Sequence, residues 1–388
     1  MFFVRYLGDA LFYGFFTRFL YSLGFSNYLL GILFAIQPLM AVVGNIVLSK
    51  ISSTRKTRKA LLFIWTIVEA IAILCMGFAS NFYLVLVLEL ICTFCSTSFY
   101  NLLDTFAVEC TTSANKTYAS LRIYGSSAYV VGTFIGGLLI KNITYKYDFL
   151  ISTILYFISI AIFFFIKFED EKENTTNDNE SDNNKVKLKD LFTIKPYIFY
   201  LIFIIIFLGI NTSADSLYGA FTSDLNVPDD IFGYFSSATI IVECIVLFIG
   251  SLFTSSKHFI YLMLSAVIAL VLRLVIFSIP NLNSYIYLSA QLLRGITFGL
   301  YLSAHIALLK KIVSPRYLSQ AIFITTAFQQ CFSAILNQIT PIISDVLSFN
   351  ISFVILLSIL SLSFIFLYLT KVTYKNMKLQ NKNIQIKE

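Results

Sequence analysis

The chain alternates long apolar runs with short polar breaks. The runs predict spans at about 2–23, 27–49, 60–80, 82–108, 118–140 and 147–168, then at 196–222, 229–253, 258–279, 284–311, 317–345 and 350–371. Each is close to the ~20 residues that a helix needs to cross a bilayer core. The expected fold is an all-α membrane protein with twelve transmembrane helices in two six-helix bundles.

Only one long stretch is hydrophilic. Residues 169–190 read EDEKENTTNDNESDNNKVKLKD, the composition of a linker that cannot bury enough apolar surface to fold. It divides the chain into an N-terminal bundle (1–168), a cytoplasmic linker (169–195), a C-terminal bundle (196–371) and a cytoplasmic tail (372–388). A six-plus-six division suggests an internal structural repeat, as in many secondary transporters.

Composition supports this reading. Apolar residues make up 58% of the chain and charged residues 13%, about half the share typical of a soluble domain. The net charge is +7. The cations gather in loops after even-numbered spans, at Lys50, Arg55, Lys56, Arg58 and Lys59, and again at Lys310, Lys311 and Arg316. The opposite loops hold only Lys141 and Lys146. That asymmetry accounts for the basic charge without nucleic acid, and it places both termini in the cytoplasm of a cell-membrane protein. Arg5, Asp9 and Arg18 interrupt the first run, which therefore reads as a span rather than a signal peptide.

Catalysis has little to work with. The two histidines are His258 and His305, with no H-E-x-x-H, so no enzyme activity and no cofactor are expected. Cys92 and Cys95 form a C-x-x-C inside a span, with no second pair and no nearby histidine, so no metal site is expected either.

The chemistry lies in charges left in or near the spans: Arg5, Arg18, Arg122, Arg273 and Arg294, with Asp9, Glu69, Glu89, Asp104, Glu109, Asp215 and Glu243. Each costs ~2.5–3.5 kcal/mol to insert, so each should face a cavity or a partner. Asp104 and Arg122 lie equally far from the centre of one hairpin, and Glu243 and Arg273 from the centre of another. Antiparallel helices of equal rise bring each pair to a common depth. A structural ion pair and a solute or proton site both fit that placement. Arg294, near mid-span, has no acid at helical spacing and calls for Glu243 or a ligand. Arg5 and Asp9, at i and i+4, are spaced to neutralise each other. Arg18 is placed to snorkel, and Asp215 has no evident cation partner. Tyr129, two turns beyond Arg122, offers a ring on which a solute could stack.

Two stretches carry a resemblance. LLDTFAVE…YASLRIYGSSAYVVG (102–132), and the run from Glu243 through Arg273 to QLLRGITFGLYLSAH (291–305), resemble the branch of the major facilitator superfamily that contains lactose permease and the phenylpropionate- and nucleoside-type permeases. The resemblance implies a substrate-binding acid and arginine at Asp104 and Arg122, with an aromatic platform at Tyr129. It also implies proton coupling at Glu243 and substrate contact at Arg273. Arg294 stands where this branch usually has histidine, Thr297 where lactose permease has its proton-carrying glutamate, and Gln291 where it has lysine. Gln329 replaces the lysine that would pair with Asp215, and Ser49 and Lys50 replace an expected aspartate after Gly44.

The function expected is proton-coupled symport of a small polar solute, such as a sugar, a nucleoside or an aromatic acid. An uncoupled facilitator and a drug/proton antiporter are the alternatives. The partners expected are the solute, protons and the lipid bilayer, without nucleic acid, around a monomer.

Overall fold

A computed structural model describes residues 1–52, 54–113, 118–165, 191–252, 259–314 and 317–385. The N-terminal half holds α1 (Phe2–Ser22), α2 (Asn27–Ile51), α3 (Arg55–Met76), α4 (Phe82–Ser113), α5 (Tyr118–Asn142) and α6 (Tyr145–Phe165). The C-terminal half holds α7 (Lys195–Asp224), α8 (Asp229–Leu252), α9 (Phe259–Ser278), α10 (Ser284–Ile312), α11 (Leu318–Val346) and α12 (Phe349–Gln385). Helix α10 is interrupted once, at Gln291. Helix α12 continues through most of the segment expected as a tail, and residues 166–190 of the expected linker lie outside the described residues.

Ten of these helices are long and apolar enough to cross a bilayer. Helices α1 and α11 are the exceptions. The first carries Arg5, Asp9 and Arg18, all buried, and the second carries Gln329 and Asn337, also buried. Their polar residues turn into the protein, whereas the outer faces of the other helices expose side chains such as Val43, Ile67, Ile154, Phe248 and Ile365. A lipid-facing surface has this character, since lipid gives polar groups no partner.

The helix contacts repeat between halves. In the first, α1 packs on α5 and α6, α4 on α2 and α3, and α3 on α6. In the second, α7 packs on α11 and α12, α10 on α8 and α9, and α9 on α12. Adding six to each helix number converts one set into the other, so the repeat suggested by hydropathy is present in the packing. The halves meet through α2 with α11 and through α5 with α8, two seams that the same operation exchanges, and through α1 with α7.

The described hydrogen bonds between halves lie toward the end opposite the cation-rich loops. Arg18 on α1 bonds Asp229 Oδ1 (2.5 Å), Thr222 Oγ1 (3.1 Å) and the Val227 carbonyl (2.5 Å). Asp345 accepts from the free backbone N–H groups of Asn27 (3.1 Å) and Tyr28 (2.7 Å) at the start of α2, where an acid also complements the helix dipole. Lys141 reaches Asp230 (2.6 Å), and Tyr145 reaches Asp229 (3.0 Å). Further in, Ser237 donates to the Val130 carbonyl (2.9 Å). Arg18 does not snorkel: it is 5% exposed and clamps the two halves together, because Asp229 and Thr222 complete its shell inside the protein.

Glycine makes the α5–α8 seam possible. A Cβ on Gly137 would come within 2.7 Å of the Asp229 carbonyl oxygen, and one on Gly233 within 2.6 Å of the Thr133 carbonyl oxygen. Neither backbone oxygen can rotate away, so only glycine permits this approach. Gly233→Val should therefore force the seam apart. A cysteine introduced at Ser236 is expected to react several-fold faster with a water-soluble maleimide in the Gly233→Val background; an unchanged rate would show that the seam does not close this end.

Candidate functional site

Each half buries a cluster of charges, and the C-terminal cluster reaches the boundary between the halves. In the N-terminal half, Arg5 is fully buried and pairs with Glu69 (2.7 Å) and Asp9 (3.3 Å). The rest of its guanidinium lies against the rings of Tyr156 and Phe99, 3.7 and 4.3 Å from their centroids. Such contacts stabilise a cation that lacks further acceptors. Two carboxylates facing one guanidinium need additional donors. Asp9 accepts from the hydroxyls of Tyr100 and Tyr156, and Glu69 from that of Tyr13 (3.1 Å).

Glu89 on α4 sits apart from this cluster. It accepts from Gln37 Nε2 (2.7 Å) and Thr93 Oγ1 (3.0 Å), both neutral, and is 1% exposed. Composition marks Glu89 as a buried acid but gives no partner for it. Gln37, one polar residue within an apolar helix, was the only available signal.

In the C-terminal half, Asp215 on α7 bridges two arginines. One oxygen meets Arg273 of α9 (2.7 Å) and the other meets Arg294 of α10 (2.9 Å). Arg294 also lies 3.6 Å from Glu243 of α8. Asp215 therefore has cation partners on both sides, and Arg273 takes Asp215 and the Asn211 amide oxygen (3.5 Å) in place of the expected Glu243. Hairpin arithmetic compares only helices adjacent in sequence, whereas α7 and α9 meet across the bundle. The Glu243–Arg294 approach is one of the two options that the sequence left open for this arginine.

Two cavities flank the α1–α7 contact, and Tyr13 lines both. One, of about 240 Å³, is bounded by Tyr129, Asp215, Arg294 and Gln291, with Thr133 and Thr239. The helix break at Gln291 presents its side chain here, with a buried amide oxygen that has no partner. The other, of about 290 Å³, is bounded by Glu89, Gln37, Thr93 and Ser96 from the first half, with Ser216 and Asn337 from the second. A third depression, about 650 Å³, lies at the clamped end around Asp224 and Asp345, away from the buried charges.

Of the residues singled out in the sequence, Tyr129 and Arg294 line the smaller cavity, and Tyr129 also packs edge-on against Tyr6 at 6.5 Å. Arg273 is fully buried behind Asp215. Asp104 lies on the part of α4 leading to the cation-rich end and is not among the residues lining either cavity. The side chain of its expected partner, Arg122, lies outside the described residues.

A family model described as MFS_1 like family matches residues 1–355. The chain belongs to this family, a branch of the major facilitator superfamily. Its fold is similar to that of the nucleoside transporter NupG in a mutant form (TM-score 0.80, 14% identity, 96% of this chain and 98% of that one). A bacterial homologue of the human lysosomal transporter Spinster, inward-facing and unoccupied, gives a TM-score of 0.71 at 12% identity over 97% of this chain and 95% of that one. A bacterial homologue of the iron transporter ferroportin, in an inward-facing state, also gives 0.71 at 12% identity over 96% of each chain. No curated protein matches by sequence. This major facilitator protein is thus a multi-pass membrane transporter, and its relatives are transporters rather than enzymes.

Asp215 is the keystone of the C-terminal charges in this transporter. Its removal strands a fully buried Arg273, and breaking a buried pair from one side costs ~3–5 kcal/mol. Asp215→Ala should lower the unfolding temperature in detergent markedly, and Asp215→Ala/Arg273→Met should recover much of the loss. Equal melting of the single variant and the parent would show that the pair does not stabilise the bundle.

Proposed function

We propose that this major facilitator protein is a proton-coupled symporter of a small polar solute, which binds in the paired cavities between its halves. The cavities together fall within the ~300–1,000 Å³ typical of small-molecule sites. The positive-inside pattern puts the clamped end outside and both termini in the cytoplasm of the cell membrane. Opening would then require the Arg18–Asp229 clamp and the α5–α8 seam to part while the opposite end closes.

The observation that carries the reading is the position of Arg294 between Asp215 and Glu243, at the wall of the smaller cavity. Arg273, Arg294, Asp215 and Glu243 sum to zero when all are ionised. A proton on Glu243 leaves one positive charge in excess and frees part of the Arg294 guanidinium. Acceptor groups of a solute can then take the place that Glu243 occupied. Proton and solute bind with mutual favour, and loss of either weakens the other. Tyr129 offers its ring beside Arg294, and Arg273 acts through Asp215. Asp104 and Arg122 remain candidates for contact near the cytoplasmic mouth. The NupG nucleoside transporter makes a nucleoside one solute to try, beside sugars and aromatic acids.

The test uses the full chain in liposomes with a panel of these solutes and a pH-sensitive dye. One solute should drive protons in with it, and Glu243→Gln should abolish that proton movement while retaining solute exchange. Solute flux with no proton movement in the parent would identify an uncoupled facilitator, consistent with Thr297, whose hydroxyl is engaged with the Leu293 carbonyl (2.9 Å). Absence of flux for every member would defeat symport of these solute classes.

A further inference from the structure

The larger cavity is set up to receive a cation. Six of its lining side chains carry hydrogen-bond donors that are turned to protein acceptors. Tyr13 donates to Glu69, Gln37 and Thr93 to Glu89, Ser96 to the Thr93 carbonyl, Ser216 to the Thr212 carbonyl, and Asn337 to the Phe34 carbonyl. Two acceptors on its wall are left over. Glu89 Oε2, from the N-terminal half, and Asn337 Oδ1, from the C-terminal half, are both buried and have no hydrogen-bond partner among the described residues. Glu89 is 1% exposed and Asn337 2%. A buried carboxylate oxygen without a donor is costly.

The lining of this cavity contains no lysine or arginine, whereas Arg18 and Arg294 line the smaller one. The contrast follows the internal repeat. Glu89 on α4 is held by Gln37 on α2, and Arg294 on α10 is approached by Glu243 on α8. Helices α4 and α10 are equivalent, as are α2 and α8, but the inward-facing charge is reversed. One lobe is lined by a lone acid and the other by arginines with an acid, and Tyr13 belongs to both.

We propose that the Glu89 lobe is the subsite for a protonated amine of the transported solute, with Glu89 Oε2 and Asn337 Oδ1 accepting its N–H groups. An alkylammonium brings up to three donors and a positive charge, and so supplies both what the lobe lacks and what its acid requires. A bare metal ion suits it less, since ~290 Å³ is far more room than oxygens closing on a small ion would leave. The proposal rests on the transport reading, and it narrows the solute to an amine-bearing one whose other end presents acceptors to Arg294.

The experiment is thermal unfolding of the purified full chain in detergent with matched pairs: 2-aminoethanol against ethylene glycol, 1,4-diaminobutane against 1,4-butanediol, glucosamine against glucose, and alanine against lactate. At least one amine should raise the unfolding temperature by about 2 °C or more over its isostere. That difference should vanish in Glu89→Gln, which keeps the volume and can still accept from Gln37. If Glu89→Gln does not elute as a monodisperse protein, Asn337→Ser is the second variant, and it should shrink the same difference. The idea is overturned if every pair gives equal shifts, if the amine shift survives in the variant, or if sodium chloride alone reproduces it. Liposome flux of a solute without an amine, unchanged by Glu89→Gln, would overturn this inference and leave the transport reading standing.

Discussion

A charge inside a bilayer must find its partner within the protein, and the organisation of this chain follows from that constraint. Water is not available along the lipid-facing surface, so the buried carboxylates and guanidinia collect where helices meet. Asp215 is the clearest case. Its two oxygens serve two arginines on two different helices, and the second arginine passes the connection on to Glu243. One carboxylate thus ties α7, α9, α10 and α8 together at the wall of a cavity. Arg5 does the same for α1 and α3, with the rings of Phe99 and Tyr156 covering the part of its guanidinium that no acid reaches. These clusters are expensive to bury and poorly replaced one residue at a time. Asp215 and Arg294 line a cavity at the boundary between halves, whereas Arg5 and its two acids lie within the N-terminal bundle.

The two halves are held together by interactions of a different kind. At the clamped end the contacts are close and directional: a guanidinium with three partners, a carboxylate capping a helix start, and glycines that let α5 and α8 approach backbone to backbone. Apolar rings join these contacts across the seam, with Phe15 against Phe232 at 5.7 Å and Phe134 against Tyr234 at 5.1 Å between centroids. The Arg18 clamp is nearly fully buried, so it parts only where other donors and acceptors replace its partners. The interior of each bundle is filled by side chains such as Phe12 and Phe149 in the first half and Phe277 and Leu356 in the second. Alternating access requires a seam that parts while each bundle keeps its own packing.

Much of this architecture is legible in the sequence because lipid imposes a simple rule on outward-facing residues. Twelve runs of apolar residues gave twelve helices, even for α1 and α11, whose hydropathy falls short because their polar residues face inward. The family was readable from a few residues spaced around Asp104, Arg122 and Arg294, and the match over residues 1–355 agrees with it. The pairings were less legible. Equal distance from a hairpin centre placed Glu243 opposite Arg273, but Arg273 meets α7, a helix two spans earlier in the chain. Arg18 and Asp229 are separated by 211 positions and by the whole linker. Hydropathy fixes which residues are buried and not which neighbour a bundle brings to them, so long-range partners such as these had no local signal.

The internal repeat gives the remaining step. Two halves with the same helix contacts could have lined the cavities between them with the same chemistry, and they do not. Where the N-terminal half turns a carboxylate inward from its fourth helix, the C-terminal half turns a guanidinium inward from the equivalent one. Each charge is held by its neighbouring helix, through an amide in one half and a carboxylate in the other. The amide leaves one oxygen of Glu89 without a partner, whereas Glu243 and Asp215 compensate Arg294. The acidic lobe is therefore the less satisfied of the two and gains more from an arriving charge. A solute with opposite polarity at its two ends would be oriented between the lobes before either half moves, and its departure would restore the imbalance that drew it in.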